Sequence, residues 1–119
     1  MAGDPFGIGS DVWPGLAKVA EEAGELLQVV GKLVATGGRT EHYDGSDLRA
    51  RLVEECGDLL AAIGYLTAAN GIEAEVARRA AGKRETFDGW HRREAIVKPP
   101  GPHDRPPAGP PDQTSAVSP

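Results

Sequence analysis

A repeated acidic phrase constrains this chain more than any other feature of its sequence. Residues 18–33 read KVAEEAGELLQVVGKL, and residues 51–66 read RLVEECGDLLAAIGYL, with seven of sixteen positions identical. In both copies the apolar residues recur every three or four positions, which is typical of an amphipathic α-helix. Gly37 and Gly38 follow the first copy, and a polar stretch leads into the second. The repeat therefore predicts two consecutive helices that form an antiparallel hairpin.

The same periodicity gives the helix bounds and the domain organisation. We predict helices over residues 14–35, 47–70 and 73–94, preceded by a flexible lead over residues 1–10. Asp11 is a candidate N-cap for the first helix, and Ser46 or Asp47 for the second. The predicted fold is all-α: an antiparallel bundle of three main helices over residues 11–96, completed by dimer or tetramer formation.

Composition narrows the function classes. The chain has 119 residues, a formal net charge of -5 and one cysteine, Cys56, which leaves no partner for an intrachain disulfide. An acidic chain argues against a surface for nucleic acid or anionic membranes. No apolar run approaches the ~20 residues that a membrane span needs, so we expect a cytoplasmic protein. Residues 97–119 hold eight of the ten prolines and predict a disordered tail.

Each copy of the repeat carries two acids three residues apart, at or beside the apolar stripe. Glu22 and Glu25 form the first pair, and Glu55 and Asp58 form the second. Residues at this spacing project from the same side of a helix. A carboxylate on an apolar face needs a cation or many hydrogen bonds, and four facing carboxylates would repel one another. Mg²⁺, for which Mn²⁺ could substitute, resolves that repulsion, because it prefers oxygen ligands.

Two further features of the repeat bear on the packing. Glycines stand at equivalent places in both copies, and they suggest that the two helix backbones approach closely: Gly24, Gly31, Gly57 and Gly64. The competing interpretation of the acids is a solvated face with local ion pairs. Lys18 stands four residues before Glu22 and Arg51 four residues before Glu55, so each of these acids has a basic residue within reach.

The acidic pattern resembles that of the MazG-like all-α nucleoside triphosphate pyrophosphohydrolases. The resemblance covers about residues 13–91 and includes the phrases KVAEEAGEL, RLVEECGDLL and KRETFDGWH. It implies that Glu22, Glu25, Glu55 and Asp58 bind Mg²⁺. It also implies cleavage of a nucleotide between its α and β phosphates, which releases a monophosphate and pyrophosphate.

Other residues are candidates for contact with water or substrate. Glu21 or Glu22 could orient or deprotonate the attacking water, and the sequence does not choose between them. Lys83 lies on the apolar stripe of the third helix, where it could reach the substrate phosphates or pair with the acids. Arg84 suits a surface position, although the resemblance allows a phosphate contact. Trp13 could stack on a base or pack at the start of a helix.

Two other functions remain open from the sequence. A phosphoribosyl-ATP pyrophosphohydrolase-like enzyme shares the acidic pattern, and only its substrate would distinguish it. A non-catalytic helical oligomer that binds partners through its proline-rich tail would show no Mg²⁺ dependence. The main prediction is a Mg²⁺-dependent enzyme that trims dNTPs or damaged nucleotides, as part of nucleotide-pool housekeeping.

Overall fold

Three α-helices account for the regular structure of the chain. A computed structural model describes the backbone of residues 4–97 and the side chains of residues 4–94. The helices are α1 (Leu16–Ala35), α2 (Leu48–Ala69) and α3 (Glu73–Val97). Within residues 4–97 there is no β-strand, only an isolated bridge between Glu41 and Asp47. The all-α class is confirmed, and α3 ends three residues beyond the predicted bound.

The start of α1 differs from the prediction. The helix begins at Leu16 and not at residue 14, and its N-cap is Gly15, at φ 92°, with no side-chain cap. The capping role predicted for Asp11 is therefore wrong. Backbone carbonyls of the preceding segment replace it: Phe6 O accepts from Ala17 N at 2.9 Å, and Gly7 O accepts from Gly15 N at 3.0 Å. These bonds satisfy N–H groups that a helix start leaves free.

The first turn of α1 lies beside the last turns of α2. A Cβ atom added to Gly15 would lie 2.7 Å from Cδ1 of Tyr65. Nearby, the Asn70 side chain donates a hydrogen bond to the carbonyl oxygen of Pro14 at 3.1 Å. The start of one helix therefore meets the end of the next, and α1 and α2 form the predicted antiparallel hairpin.

The connection between the two helices follows the predicted local chemistry. Gly37 and Gly38 adopt left-handed conformations, at φ 68° and 92°, and end α1. Asp47, one of the two predicted caps, accepts hydrogen bonds from Arg49 N at 3.0 Å and Ala50 N at 3.1 Å. Leu48 then donates its N–H to Thr40 O at 2.7 Å, which closes the loop at its base.

The apolar core of the hairpin is small. Val29, Leu48 and Ala62 are its buried apolar residues, whereas Leu27 is 66 % exposed. The apolar residues of α1 therefore occupy two faces of the helix, and Leu27 lies on the face that is not buried. The expected close backbone approach at the glycines of the repeat is wrong. A Cβ atom added to any of the four would meet no atom within 4 Å: Gly24, Gly31, Gly57 and Gly64.

The chain divides into two compact units, and the boundary lies within α3, between Val76 and Ala77. In the second unit the rings of Phe87 and Trp90 lie 5.4 Å apart, and each is half exposed. The three-helix bundle stays a prediction. The proline-rich tail falls outside the described residues except for Val97, which ends α3. None of the described helices has the length and apolar character needed to cross a membrane.

Candidate metal centre

Three carboxylates from the two copies of the repeat converge between α1 and α2. Glu22 and Glu25 come from α1, and Glu55 comes from α2. Each contributes one oxygen, and these three oxygens all lie within 4.8 Å of one another. We call this group the carboxylate cluster. It unites three of the four metal ligands predicted from the sequence.

Heptad spacing explains how these acids enter the seam between the helices. Residues seven apart lie on the same face of a helix after two turns. Glu55 stands seven residues after Leu48 and seven before Ala62, and all three are buried. On α1, Glu22 stands seven residues before Val29, the buried residue of that helix. The acids therefore occupy positions in the seam between the helices, and the equivalent positions seven residues before or after them hold buried apolar residues.

The carboxylates in the seam are incompletely satisfied. Glu55 is only 6 % exposed. Its Oε2 atom lies 3.4 Å from Nη2 of Arg51, one helical turn earlier. Its Oε1 atom and Oε1 of Glu22 are buried and have no hydrogen-bond partner. A buried carboxylate oxygen without a partner is costly, so the seam is suited to a ligand that supplies positive charge.

The carboxylates of the cluster also affect the pKa of Glu25. Its pKa is raised above the usual value, first by the negative charge of Glu22, then by desolvation, and then by the charge of Glu55. A cation among these oxygens would reverse this effect. Hard divalent ions such as Mg²⁺ take carboxylate oxygens as ligands, and the donors present match that preference. The cluster therefore fits a divalent cation.

The remaining predicted acids lie outside the cluster. Asp58, one turn after Glu55, is exposed and is not part of the group. Glu21 is also exposed and accepts a hydrogen bond from Nζ of Lys18 at 2.7 Å. Lys18 therefore pairs with Glu21 and not with Glu22, contrary to the ion pair that the spacing suggested. This leaves Glu22 without that local cation.

The i,i+4 spacing of Arg51 and Glu55 suggested an ion pair on the helix surface. The pair is present, but the carboxylate of Glu55 is buried, whereas the side chain of Arg51 remains 37 % exposed. The side chain of Arg51 therefore contacts a carboxylate in the seam while it remains partly exposed to solvent. The sequence feature that indicates this role is the position of Glu55 inside the apolar stripe of α2. An i,i+4 ion pair with one member in that stripe cannot be wholly solvated.

The loop between α1 and α2 forms its own polar network. Asp44 accepts hydrogen bonds from Ser46 Oγ at 2.7 Å and Ser46 N at 3.0 Å, and lies 2.8 Å from Nδ1 of His42. These contacts, those of Ser46 first, hold the pKa of Asp44 well below its usual range. The loop borders a cavity of about 680 Å³, and no member of the carboxylate cluster lines it.

The three candidate substrate-binding residues are outside the cluster. The ammonium group of Lys83 lies 5.9 Å from the centroid of the Phe87 ring, within the range of a cation–π contact. Arg84 is exposed. Trp13 is 51 % exposed and has a left-handed backbone, at φ 47°. A direct role for these residues stays a prediction.

Comparison of the chain with protein-family models, curated proteins and solved structures finds no match. The functional assignment therefore depends on the residues and their geometry.

Proposed function

We propose that this chain is a Mg²⁺-dependent nucleotide pyrophosphohydrolase of the MazG-like kind. Its substrate would be a nucleoside or deoxynucleoside triphosphate, cleaved between the α and β phosphates to a monophosphate and pyrophosphate. The observation that carries the proposal is the carboxylate cluster, in which Glu22, Glu25 and Glu55 place three oxygens within 4.8 Å of one another. Two of these side chains also hold a buried oxygen with no partner.

The chemistry of phosphoryl transfer requires what such a cluster can organise. When bound, Mg²⁺ neutralises charge on the phosphate oxygens and lowers the pKa of a bound water. Glu22, Glu25 and Glu55 would hold the ion, whereas Asp58 is exposed and outside the cluster, and its role as a fourth ligand stays a prediction. The oxygen of a water molecule bonds to phosphorus as the bridging P–O bond breaks. Pyrophosphate leaves, and a carboxylate accepts the proton released by the water.

The two candidates for that proton acceptor differ in their partners. Glu21 is exposed and bound to Lys18, whereas Glu22 contributes to the cluster itself. If Glu21 is the base, Glu21→Gln lowers kcat and leaves the Mg²⁺-induced rise in Tm unchanged. If Glu22 both binds the ion and accepts the proton, Glu22→Gln lowers both. Measuring the two variants together assigns the base.

A substrate panel tests the proposal. The full chain is incubated with Mg²⁺ and separate NTPs, dNTPs and phosphoribosyl-ATP, and both pyrophosphate and single phosphate are measured. We expect pyrophosphate release that is lost in Glu55→Gln. Glu54→Gln is the matched control, because Glu54 is the neighbouring acid on α2 but is exposed and outside the cluster. Its activity should stay near that of the wild type.

Three results would contradict the proposal or redirect it. Release of single phosphate would exclude pyrophosphohydrolysis. Turnover of phosphoribosyl-ATP alone would assign the phosphoribosyl-nucleotide reaction. Absence of turnover, together with an unchanged Tm when Mg²⁺ is added, would favour the non-catalytic helical protein.

A further inference from the structure

Arg51 is the basic residue that contacts the carboxylate cluster. Its Nη2 atom lies 3.4 Å from Oε2 of Glu55. Within residues 4–94 no other lysine, arginine or histidine side chain forms an ion pair with a member of the cluster. Lys18 is bound instead to Glu21, at 2.7 Å. The cluster therefore has a single basic contact, and it comes from α2.

The contact between Arg51 and Glu55 is loose. Charge-assisted hydrogen bonds from nitrogen to oxygen are usually about 2.7–2.9 Å long, and the bond from Lys18 to Glu21 lies in that range, at 2.7 Å. The distance of 3.4 Å between Arg51 and Glu55 is clearly longer. A guanidinium carries several N–H donors, and only Nη2 of Arg51 has a hydrogen-bond partner among the described residues. The other donors are therefore available to a further acceptor.

Arg51 also differs from Glu55 in its exposure to solvent. The side chain of Arg51 is 37 % exposed, whereas that of Glu55 is 8 % exposed. A ligand that reaches the cluster from solvent therefore meets an accessible guanidinium beside a buried carboxylate. A triphosphate requires such a cation, because the three carboxylates of the cluster would otherwise repel its negative charge.

We propose that Arg51 binds phosphate oxygens of the substrate, and that its guanidinium leaves Glu55 to do so when the cluster holds a cation. This inference rests on the proposed function, which places a triphosphate beside the cluster. A planar guanidinium donates two parallel hydrogen bonds to a phosphate, which an ammonium group does not. Once Glu55 receives positive charge from another source, Arg51 can contact phosphate without leaving a buried carboxylate unpaired.

Arg51 is distinct from the phosphate contacts suggested by the sequence. Lys83 and Arg84 belong to the second compact unit, which begins at Ala77. Arg51 belongs to the first unit and lies on the same helix as Glu55, about one turn earlier. Because both residues are on one helix, their i,i+4 spacing keeps the guanidinium within reach of the cluster.

Binding of inorganic pyrophosphate tests the inference without a need for turnover. Titration calorimetry compares the wild type with Arg51→Gln at saturating Mg²⁺. We expect Arg51→Gln to bind pyrophosphate at least about tenfold more weakly, because charge-assisted hydrogen bonds are lost. Arg49→Gln is the matched control, since it removes an exposed arginine two residues earlier in α2. Its affinity should equal that of the wild type.

The conservative variant separates phosphate binding from a purely structural ion pair. Arg51→Lys keeps a positive charge four residues before Glu55, so its stability without metal should stay near that of the wild type. It lacks the planar fork, so its affinity for pyrophosphate should stay below that of the wild type. Far-UV circular dichroism reports whether each variant keeps its helices. Unchanged pyrophosphate affinity in folded Arg51→Gln and Arg51→Lys would overturn the inference.

Kinetics distinguish the failure of this inference from the failure of the proposed function. In a wild type that releases pyrophosphate from a triphosphate, Arg51→Gln should raise KM at saturating Mg²⁺. Wild-type turnover with an unchanged KM and kcat in Arg51→Gln would overturn the role of Arg51 and leave the proposed function intact. A wild type that neither releases nor binds pyrophosphate would overturn both.

Discussion

Glu55 lies in a buried seam between Leu48 and Ala62, where an apolar residue would otherwise complete the core. The Oε2 atom of its carboxylate makes one long contact, to Arg51, and the Oε1 atom has no hydrogen-bond partner. The sequence predicted the position of Glu55 on the apolar stripe, because helical spacing is local. It could not predict that Lys18 would contact Glu21 in place of Glu22, since side-chain rotamers decide that choice.

Loss of Arg51 should destabilise the protein most in the absence of metal. We expect Arg51→Ala to lower the free energy of unfolding by about 1–2 kcal/mol without Mg²⁺, because Glu55 loses its only cation partner in the described structure. Saturating Mg²⁺ should reduce that loss, since the ion replaces the guanidinium as the source of positive charge. Chemical denaturation with and without Mg²⁺ measures both values. Arg49→Ala, at an exposed position next to the buried Leu48, should show neither effect.

The raised pKa of Glu25 predicts the direction in which the stability of the folded state changes with pH. A carboxyl group whose pKa is raised on folding stabilises the folded state below its unfolded value of 4.5, and this contribution is lost as pH rises through the folded pKa. The metal-free wild type should therefore become less stable relative to Glu25→Gln as pH rises above 4.5. Denaturation of both proteins between acidic and neutral pH measures the difference. A constant difference would show that Glu25 does not titrate within the cluster.

At the scale of the elements, the starts of α1 and α2 differ in how distant in sequence the residues are on which each start depends. Asp47 caps α2 through the N–H groups of Arg49 and Ala50, so the cap could be predicted from neighbouring residues. The start of α1 depends on Gly15, whose left-handed conformation allows close contact with Tyr65, fifty residues later. The local pattern of Asp11 followed by a proline could not reveal a contact over that separation.

Replacing Gly15 should therefore cost more than backbone strain alone. Gly15→Ala places a Cβ atom 2.7 Å from Cδ1 of Tyr65 at φ 92°. Gly9 offers a matched control, because its φ of 87° is similar and an added Cβ atom meets nothing within 4 Å. A left-handed alanine costs about 1–2 kcal/mol, which is the full effect expected for Gly9→Ala. Equal losses of unfolding free energy in the two variants would contradict the close packing of Gly15 on Tyr65.

At the scale of the whole molecule, each helix of the hairpin has two apolar faces, and only one of them packs against the other helix. Glu22, Val29 and Glu55 face the seam between α1 and α2, whereas Leu27 and Leu60 face away from it. A sequence pattern shows that apolar residues recur, but a wide apolar arc does not reveal which part of it meets the neighbouring helix. That choice depends on the direction of approach of the second helix.

The dimer or tetramer predicted from the sequence implies a melting temperature that depends on protein concentration. If the native state is an oligomer, mass action stabilises it as the protein concentration rises, whereas the Tm of a monomer stays constant. Differential scanning calorimetry of the wild type over a dilution series should therefore show a rising Tm. A Tm that is constant in the wild type would argue against the oligomer.

The sequence by itself determined the helical class, the hairpin and the cap of α2, because each follows from spacing or from contacts between near neighbours. It also identified Glu22, Glu25 and Glu55 as one group, since the repeat places equivalent acids on adjacent antiparallel helices. Only the tertiary structure decided that Asp58 is outside the cluster, that Gly15 is the point of close approach, and that the glycines of the repeat face outward. These features depend on the relative rotation of two packed helices, which no local pattern encodes.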